Sequence, residues 1–305
     1  MKPETHSPVL FVEHLTVIDC AYLCETHGLV GESWICDVEL SGALDDASMI
    51  MDFALVKKTI KRAIDNWVDH TLIVPTNSPN LTLPLTQPSA LEGARTSNSL
   101  SFTFSSPTLD SRLSTLDSSF TLTHSSPSSA LCLLPAPEVN AKTVATYLEA
   151  RLKEILPATV TNIAVNLRNE PTDAPYFHYV HGLKKHDGNC QRIAHGHRSR
   201  IRIERGGAYD ATLSAQWAHN LNYAYIATHE DIASVDATHT HFSYNTAQGA
   251  YALSYPTALC HFMDSDSTIE CIAAHIAAIL KAENPADRFT VRAYEGVMKG
   301  AVAQS

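Results

Sequence analysis

Short segments of this 305-residue chain recur in the same order along its two halves. The sequence ELSGALD at 39–45 resembles ERGGAYD at 204–210, and each closes a run that alternates as a strand does. Further on, an alternating run and an Ala-Leu-Cys triplet follow one another within 120–132 and again within 251–260. Several elements repeated in one order constrain a fold more than a single motif, because each copy must build the same supersecondary unit. The sequence therefore predicts a tandem duplication.

The two copies meet at a short stretch that contains two prolines. Each copy ends in a short strand that carries a glutamate, Glu170 in the first copy and Glu295 in the second. The prolines within 171–175 are typical of a connection between structural units. We therefore predict one unit over residues 9–171 and a second over residues 172–301.

The periodicity within each copy predicts both strands and helices. Apolar residues alternate from Trp34 to Leu40, as in a half-buried strand. The segment 56–68 has the apolar spacing of a helix, and further helices are predicted over 143–156 and 268–280. Strands outnumber helices and short links dominate, so the predicted fold class is α+β with antiparallel sheet.

Two long stretches, 76–130 and 208–250, extend the copies. The first is rich in serine, threonine and proline, a composition that is also found in disordered segments. Its segments 100–104 and 120–123 nevertheless alternate between apolar and polar residues. We therefore predict strand-rich inserts.

Three histidines of the second copy have the spacing of a metal site. His195 and His197 are alternate residues of one predicted strand, so their side chains point to the same face. His181 lies on the preceding strand and meets them if the two strands form a hairpin. Three imidazoles with one open position form a catalytic zinc site, so we predict Zn²⁺ here. The alternative is a set of ordinary surface histidines; His178, which should face away, and His186, in the loop, are weaker candidates.

Cys190 lies in the loop of the same hairpin, five residues before His195. A cysteine beside a metal and basic side chains reacts as its thiolate and serves as a base or a nucleophile. A fourth zinc ligand and a plain loop cysteine are the alternatives. The chain has seven cysteines without regular spacing, which indicates reduced thiols. Most of the others lie in apolar contexts that are typical of packing residues.

Charge is unevenly distributed along the chain. The formal net charge of −10 argues against binding to nucleic acid or to an anionic membrane surface. Seven of the 22 basic residues nevertheless lie between Lys184 and Arg205. This cationic region suits an anionic substrate such as a phosphate ester, with candidate contacts from Lys184, Lys185, Arg192 and Arg198. Because neither a signal-peptide pattern nor an apolar run of roughly 20 residues is present, we expect a cytoplasmic protein.

The segment 177–197 resembles the 6-pyruvoyltetrahydropterin synthase and 6-carboxytetrahydropterin synthase family. Members carry a Phe-x-x-x-His strand, a cysteine and a His-Gly-His triplet, as do 177–181, Cys190 and 195–197 here. The resemblance implies two tandem T-fold units, each an antiparallel sheet with two helices on one face. It also implies a zinc-dependent lyase that acts on the pterin 7,8-dihydroneopterin triphosphate. Subunits of the family assemble into closed rings, so we expect a homo-oligomer in which the two units of one chain are ring neighbours.

The resemblance extends to the first copy and to the end of the chain. The family has an Asp-Phe pair at the start of a helix and an Asp-His pair after it, which correspond to 52–53 and to Asp69 and His70. The resemblance implies that the Asp-His pair relays a proton with the cysteine and that Glu295 anchors the pterin ring. Glu170 either does the same at another site or is a relic. On spacing alone, the Asp-His pair is an ordinary helix-end feature.

Each copy lacks residues that the other retains. In an alignment of the two copies, Val30 and Glu32 stand at the positions of the His-Gly-His histidines, and the region around Ala21 stands at the position of the third histidine. Thr228 and His229 stand at the positions of the Asp-His pair, so the aspartate is missing there. We therefore expect one zinc ion per chain and an active site at the interface between units. Whether the Asp-His pair of the first copy or His229 serves the cysteine stays open.

The family contains two reactions. We predict formation of 6-carboxytetrahydropterin, a step toward queuosine and other deazapurines, because the short loop from Cys190 to His-Gly-His resembles that branch. The alternatives are formation of 6-pyruvoyltetrahydropterin and pterin binding without turnover. A three-histidine zinc hydrolase is the alternative from another class; it needs a carboxylate base, for which Asp187 is the nearest in sequence.

Overall fold

The computed structural model describes residues 8–83, 99–106 and 119–305. The strands of the first half are β1 Val9–Cys24, β2 Gly28–Gly42, β3 Leu72–Pro75, β4 Leu81–Thr82, β5 Ser99–Ser106, β6 Phe120–Pro127, β7 Leu131–Leu134 and β8 Val160–Arg168. Those of the second half are β9 Tyr176–His181, β10 His195–Arg205, β11 Ala208–Tyr209, β12 Ala224–Thr228, β13 Ile232–Val235, β14 His239–Thr246, β15 Gly249–Pro256, β16 Cys260–Met263, β17 Phe289–Tyr294 and β18 Gly300–Gln304. The helices are α1 Phe53–Val56, continued through the π-helical stretch Lys57–Lys61 into α2 Arg62–Trp67, then α3 Ala141–Ile155, α4 Ala211–Leu221 and α5 Ile269–Glu283.

Each half forms a core sheet with the same strand order. The first sheet runs β7-β3-β1-β2-β8, and the second runs β16-β12-β9-β10-β17 with β18 added at its edge. This correspondence confirms the prediction of two tandem T-fold units of the α+β class. β1, β2 and β8 pair antiparallel, but β3 runs parallel to β1 and β7 parallel to β3. The core sheets are therefore mixed, since the helices between β2 and β3 supply a crossover connection that parallel pairing requires.

Helices pack on each core sheet through one apolar stripe. Asn140 caps α3 by accepting a hydrogen bond from Thr143 N, and Thr268 caps α5 in the same way. The buried stripes include Val144, Leu148 and Leu152 in α3 and Ile272, Ile276 and Leu280 in α5. The helices predicted from periodicity are confirmed, with ends that differ by a few residues.

The inserts of both halves join in a third sheet, with the order β13-β14-β15-β6-β5-β4. The predicted strands at 100–104 and 120–123 are confirmed as parts of β5 and β6, whereas 84–98 and 107–118 lie outside the described residues. β6 and β15 both end in a proline that precedes a short 3₁₀ turn, so they are equivalent strands of the two halves. They pair antiparallel, with His124 opposite Leu253. The inserts therefore connect the two halves by strand pairing.

A local two-fold axis relates the two halves. Gly31 precedes Gly42 by the same number of residues as Gly196 precedes Gly207, so the first glycines of these pairs are equivalent. A Cβ atom on Gly31 would lie 1.9 Å from Tyr179 O, and one on Gly196 would lie 2.6 Å from Gly31 Cα. β2 and β10 therefore cross at a point that only glycine permits. Among the described residues the two core sheets share no strand pair. Edge-to-edge pairing of the two units, which was expected for ring neighbours, is therefore not found within these residues.

None of the helices in the described part of the chain is long and apolar enough to cross a membrane.

Candidate active site

The three predicted histidines converge on one face of the second core sheet. His195 lies directly opposite His181 in the β9–β10 pair, and His197 follows on the same face of β10. All three side chains are buried, with exposed fractions of 0–1 %. His181 Nδ1 donates to Ser267 O at 2.9 Å, and His195 Nδ1 donates to Arg192 O at 3.1 Å. These bonds fix both rings so that Nε2 faces the centre of the cluster.

The geometry of the cluster fits a metal ion. One ring nitrogen from each histidine lies within 4.8 Å of those of the other two. Among the described residues, Nε2 of His181, His195 and His197 is buried without a hydrogen-bond partner. An unsatisfied buried polar atom costs about 1–3 kcal/mol, and three together indicate a missing common partner. Burial holds the pKa of His181 and of His195 well below the ordinary value, which favours the neutral imidazole that a metal requires.

The Asp-His pair of the first half lies beside this cluster. The ring centroid of His70 is 5.4 Å from that of His195 and 6.3 Å from that of His197. Asp69 Oδ2 is 2.7 Å from His70 Nδ1, and the Cys190 thiol lies near enough to raise the pKa of the same imidazole. Burial by itself would lower the pKa of His70, but its interactions with Asp69 and Cys190 raise it to about 10. One chain thus brings a thiol, an imidazole and a carboxylate to the edge of the histidine cluster.

The backbone around His70 is fixed from both halves. His70 adopts a left-handed conformation with φ of 53°, uncommon for a residue other than glycine. Its N–H donates to Asp19 O at 2.6 Å, and Arg192 Nη1 from the second half donates to its carbonyl oxygen at 3.0 Å. Asp69 Oδ1 accepts from Asp19 N at 2.9 Å. These bonds hold the backbone conformation that places the imidazole beside His195.

Glu295 and two residues that the sequence did not indicate complete the site. Glu295 follows β17, and its carboxylate lies 3.8 Å from Lys299 Nζ. Lys299 Nζ also lies 3.2 Å from Asp19 Oδ2, and Asp19 Oδ1 lies 3.2 Å from His197 Nδ1. Neither Asp19 nor Lys299 belongs to a motif. Their contact joins opposite ends of the chain, so no local sequence pattern indicates it.

The sequence profile of the 6-pyruvoyl tetrahydropterin synthase family matches the chain twice, over residues 20–174 and 170–304. The chain belongs to this family. Two solved structures illustrate its similarity to single-unit members. The Plasmodium vivax 6-pyruvoyltetrahydropterin synthase, in the form of a catalytic residue mutant, is 17 % identical, with a TM-score of 0.35, over 54 % of this chain and 99 % of that chain. The Plasmodium falciparum 6-pyruvoyl tetrahydropterin synthase is 17 % identical, with a TM-score of 0.34, over 53 % and 98 %. No curated protein matches the sequence.

The local two-fold creates two equivalent contact regions between the halves. The region with His181, His195 and His197 is called the three-histidine junction. The region with their counterparts is called the mirror junction. Tyr22 pairs with Val30 as His181 pairs with His195. The first-half counterpart of His181 is therefore Tyr22, one residue after the predicted Ala21. Neither Tyr22 nor Val30 offers an imidazole.

The predicted equivalence of Thr228 and His229 with the Asp-His pair is wrong. Asn222 Oδ1 accepts from His178 N at 3.0 Å, as Asp69 does from Asp19, and Tyr223 N donates to His178 O at 2.6 Å, as His70 N does to Asp19 O. Asn222 and Tyr223 are thus the true counterparts. His229 is half exposed, binds Asp264 at 2.8 Å and stacks on Phe262.

Glu170 is not the counterpart of Glu295, although the sequence predicted that it would be. In the strand registers Leu167 lies opposite Cys36 and Ala293 lies opposite Ile201, so Asn169 and not Glu170 corresponds to Glu295. Glu170 is buried and forms an ion pair with Arg200 Nε at 2.9 Å. This ion pair occupies one of the two carboxylate oxygens of Glu170.

The four basic residues predicted to contact phosphate each have protein partners. Lys184 pairs with Glu230 and Asp231 at 3.0 and 2.8 Å, and Lys185 pairs with Glu230 and Asp266. Arg192 is buried and binds His70 O, and Arg198 lies over the Tyr176 ring at 3.9 Å. The structure therefore ties the cationic region largely to neighbouring acids, aromatic rings and backbone.

Proposed function

We propose that this protein is a zinc-dependent lyase that converts 7,8-dihydroneopterin triphosphate to 6-carboxytetrahydropterin. One observation carries the proposal: three buried, unpartnered Nε2 atoms lie beside Cys190 and the Asp69–His70 pair. Candidate metal ligands from one half and a candidate proton relay from the other thus lie beside each other. The zinc-dependent lyases that the 177–197 segment resembles need this combination.

The residues have distinct proposed roles. His181, His195 and His197 would hold Zn²⁺, which would supply a Lewis acid for the hydroxyl groups of the substrate side chain. Cys190, as thiolate, removes the proton from the side-chain carbon. His70, held by Asp69, exchanges that proton with the thiol.

Glu295 is the proposed anchor of the pterin ring. A carboxylate accepts two parallel hydrogen bonds from the amino and ring N–H groups of a guanidine-like edge. Its side chain is about one quarter exposed, with Lys299 Nζ 3.8 Å away, so it remains accessible to a ligand. The substrate would therefore enter with its ring at Glu295 and its side chain toward the histidines.

The surroundings of the cluster favour a lyase over a zinc hydrolase. A hydrolase needs a carboxylate base that reaches the metal-bound face. Asp187 is exposed on the loop, and Asp19 lies behind His197 on its Nδ1 side. The groups that face the cluster are instead His70 and Cys190.

The chain is proposed to assemble with further copies. Among the described residues, β7 and β8 are edge strands of the first core sheet, and β16 and β18 are edges of the second. Open sheet edges pair readily with other chains, so a closed homo-oligomer would satisfy them. A chain that stays monomeric at micromolar concentration in sedimentation would contradict this assembly.

Product analysis tests the proposed reaction. Purified protein loaded with zinc is incubated with 7,8-dihydroneopterin triphosphate, and the products are identified by mass spectrometry. The expected products are 6-carboxytetrahydropterin, acetaldehyde and triphosphate; a Cys190→Ala variant should form none. A 6-pyruvoyl product would assign the other reaction of the family. Binding of the pterin without any product would refute the enzyme.

A further inference from the structure

Asp19 connects the first half directly to a metal-ligand candidate of the second half. It lies on β1 with an exposed fraction of 3 %. Its Oδ1 is 3.2 Å from His197 Nδ1, and Ser33 donates a hydrogen bond to the same oxygen. Its Oδ2 is 3.2 Å from Lys299 Nζ. The buried carboxylate is therefore oriented by a hydroxyl and an ammonium group so that one oxygen faces the imidazole.

The partner of Nδ1 differs among the three histidines. His181 and His195 donate to backbone carbonyl oxygens. His197 Nδ1 makes no hydrogen bond of standard geometry and lies 3.2 Å from a carboxylate oxygen of Asp19. A carboxylate at Nδ1 keeps the proton on that nitrogen, leaves the Nε2 lone pair for the metal and makes the imidazole a stronger ligand. Side chains in this position typically change metal affinity by about 10- to 100-fold.

We propose that Asp19 is a positioning residue for the metal centre, supplied by the half whose described residues form no metal-ligand cluster. It sets the tautomer and orientation of His197 from across the local two-fold. The first half thus serves the site twice, through Asp69 and His70 and through Asp19. This inference rests on the metal centre of the proposed function, but not on the substrate or the reaction.

The mirror junction contains a matched pair with the two groups exchanged. The strand register places His178 at the counterpart position of Asp19 and Glu32 at that of His197. His178 Nδ1 is 3.9 Å from Glu32 Oε2 and donates instead to Gly31 O at 2.7 Å. A carboxylate and an imidazole meet there without a metal site, so Glu32→Gln is a control of similar burial and chemistry.

Zinc affinity provides the test. The dissociation constant for Zn²⁺ is measured on the full chain by competition with a chromophoric chelator, for wild type, Asp19→Asn and Glu32→Gln. Asp19→Asn should weaken zinc binding by about 10- to 100-fold, and Glu32→Gln should leave it within about twofold. In the cobalt-substituted protein, the visible d–d spectrum should shift in Asp19→Asn alone. Equal affinity of Asp19→Asn and wild type, or an equal loss in both variants, overturns the proposal.

Thermal unfolding separates positioning from a purely structural role. If Asp19 positions His197, the melting temperature of metal-free Asp19→Asn should stay near that of wild type, while the increase on adding zinc becomes smaller. A structural role would lower both melting temperatures equally and leave the increase unchanged, which contradicts the proposal.

A second variant covers the case in which Asp19→Asn does not fold. Ser33→Ala removes the hydroxyl that orients Asp19 and keeps the carboxylate, so a smaller loss of about two- to fivefold in zinc affinity is expected. Unchanged affinity in Ser33→Ala would then overturn the proposal. Turnover is not measured in these experiments, so an inactive enzyme would not affect their outcome.

Discussion

The three-histidine junction and the mirror junction have equivalent backbone contacts but different side chains. At the first, three candidate metal-ligating imidazoles, an Asp-His pair and Glu295 lie together. At the second, every counterpart is changed. The mirror residues are Tyr22, Val30 and Glu32 for the histidines, Asn222 and Tyr223 for the pair, and Asn169 for the glutamate. The three-histidine junction thus takes its histidines and Glu295 from the second half and its Asp-His pair from the first.

The backbone bonds survive at both junctions. Asn222 accepts from a strand N–H at 3.0 Å as Asp69 does at 2.9 Å, and Tyr223 and His70 both have positive φ, at 64° and 53°. The mirror junction therefore retains the structural role of the Asp-His pair without its charge. A difference of this kind separates what the fold needs from what the proposed chemistry needs.

The largest expected effect is on turnover at the three-histidine junction. Asp69→Asn or His70→Ala should lower kcat by about 10²-fold or more, as for a lost acid-base group, without loss of metal. Asp69→Asn should fold normally, because Asn222 makes the equivalent bond in the mirror junction. Tyr223→Phe and His229→Ala are the controls and should retain full rates. An inactive His229→Ala variant beside an active His70→Ala variant would reverse the assignment.

A mixing experiment sharpens the same point. Cys190 and His70 come together within one chain, so inactive Cys190→Ala and His70→Ala chains should not restore activity when they are mixed and reassembled. Recovered activity would show that the working junction lies between different chains.

Metal stoichiometry is the second way to test the difference between the junctions. About one zinc ion per chain is expected, because Tyr22 and Val30 replace two imidazoles in the mirror junction. His195→Ala or His197→Ala should remove bound zinc, as measured by elemental analysis, whereas His178→Ala should not. Two ions per chain would show that the mirror junction is also a metal site.

The crossing point of the two halves should respond to a single methyl group. Gly31→Ala would place a Cβ 1.9 Å from Tyr179 O, so the halves must move apart at both junctions. We expect a loss of about 1–3 kcal/mol or more in unfolding free energy, together with weaker metal binding. Gly188→Ala is the control, since its Cβ would meet only the side chain of His186, at 3.0 Å, and should change stability little.

The smallest expected effect is a pH-dependent gain in stability when Glu32, in the mirror junction, is replaced. Burial raises the pKa of Glu32 from 4.5 to about 7. The folded state therefore holds this proton more tightly than the unfolded state, and stability falls as pH rises from about 4.5 to 7. Glu32→Gln should remove that loss. The free energy of unfolding should rise by about 1–3 kcal/mol at pH 8 and change little at pH 4.5. Denaturant unfolding at both values measures it; an equal gain at both would contradict the pKa argument.

Features that depend on local periodicity were predictable from the sequence. Alternation in a strand places His195 and His197 on one face whatever surrounds them, and the register of the β9–β10 hairpin brings His181 opposite. The duplication and the helices follow from the same kind of pattern, because a backbone period of 2 or 3.6 residues is set by the chain itself.

Features that depend on contacts between the halves needed the tertiary structure. A short pair such as Asp-His aligns almost equally well with Thr228 and His229 or with Asn222 and Tyr223, and only the bonds to β9 select the second. Asp19 and Lys299 carry no motif, yet they lie 3.2 Å apart. The physical reason is that strand period acts along a few residues, whereas the junctions depend on close packing at Gly31 and Gly196, which no local pattern encodes.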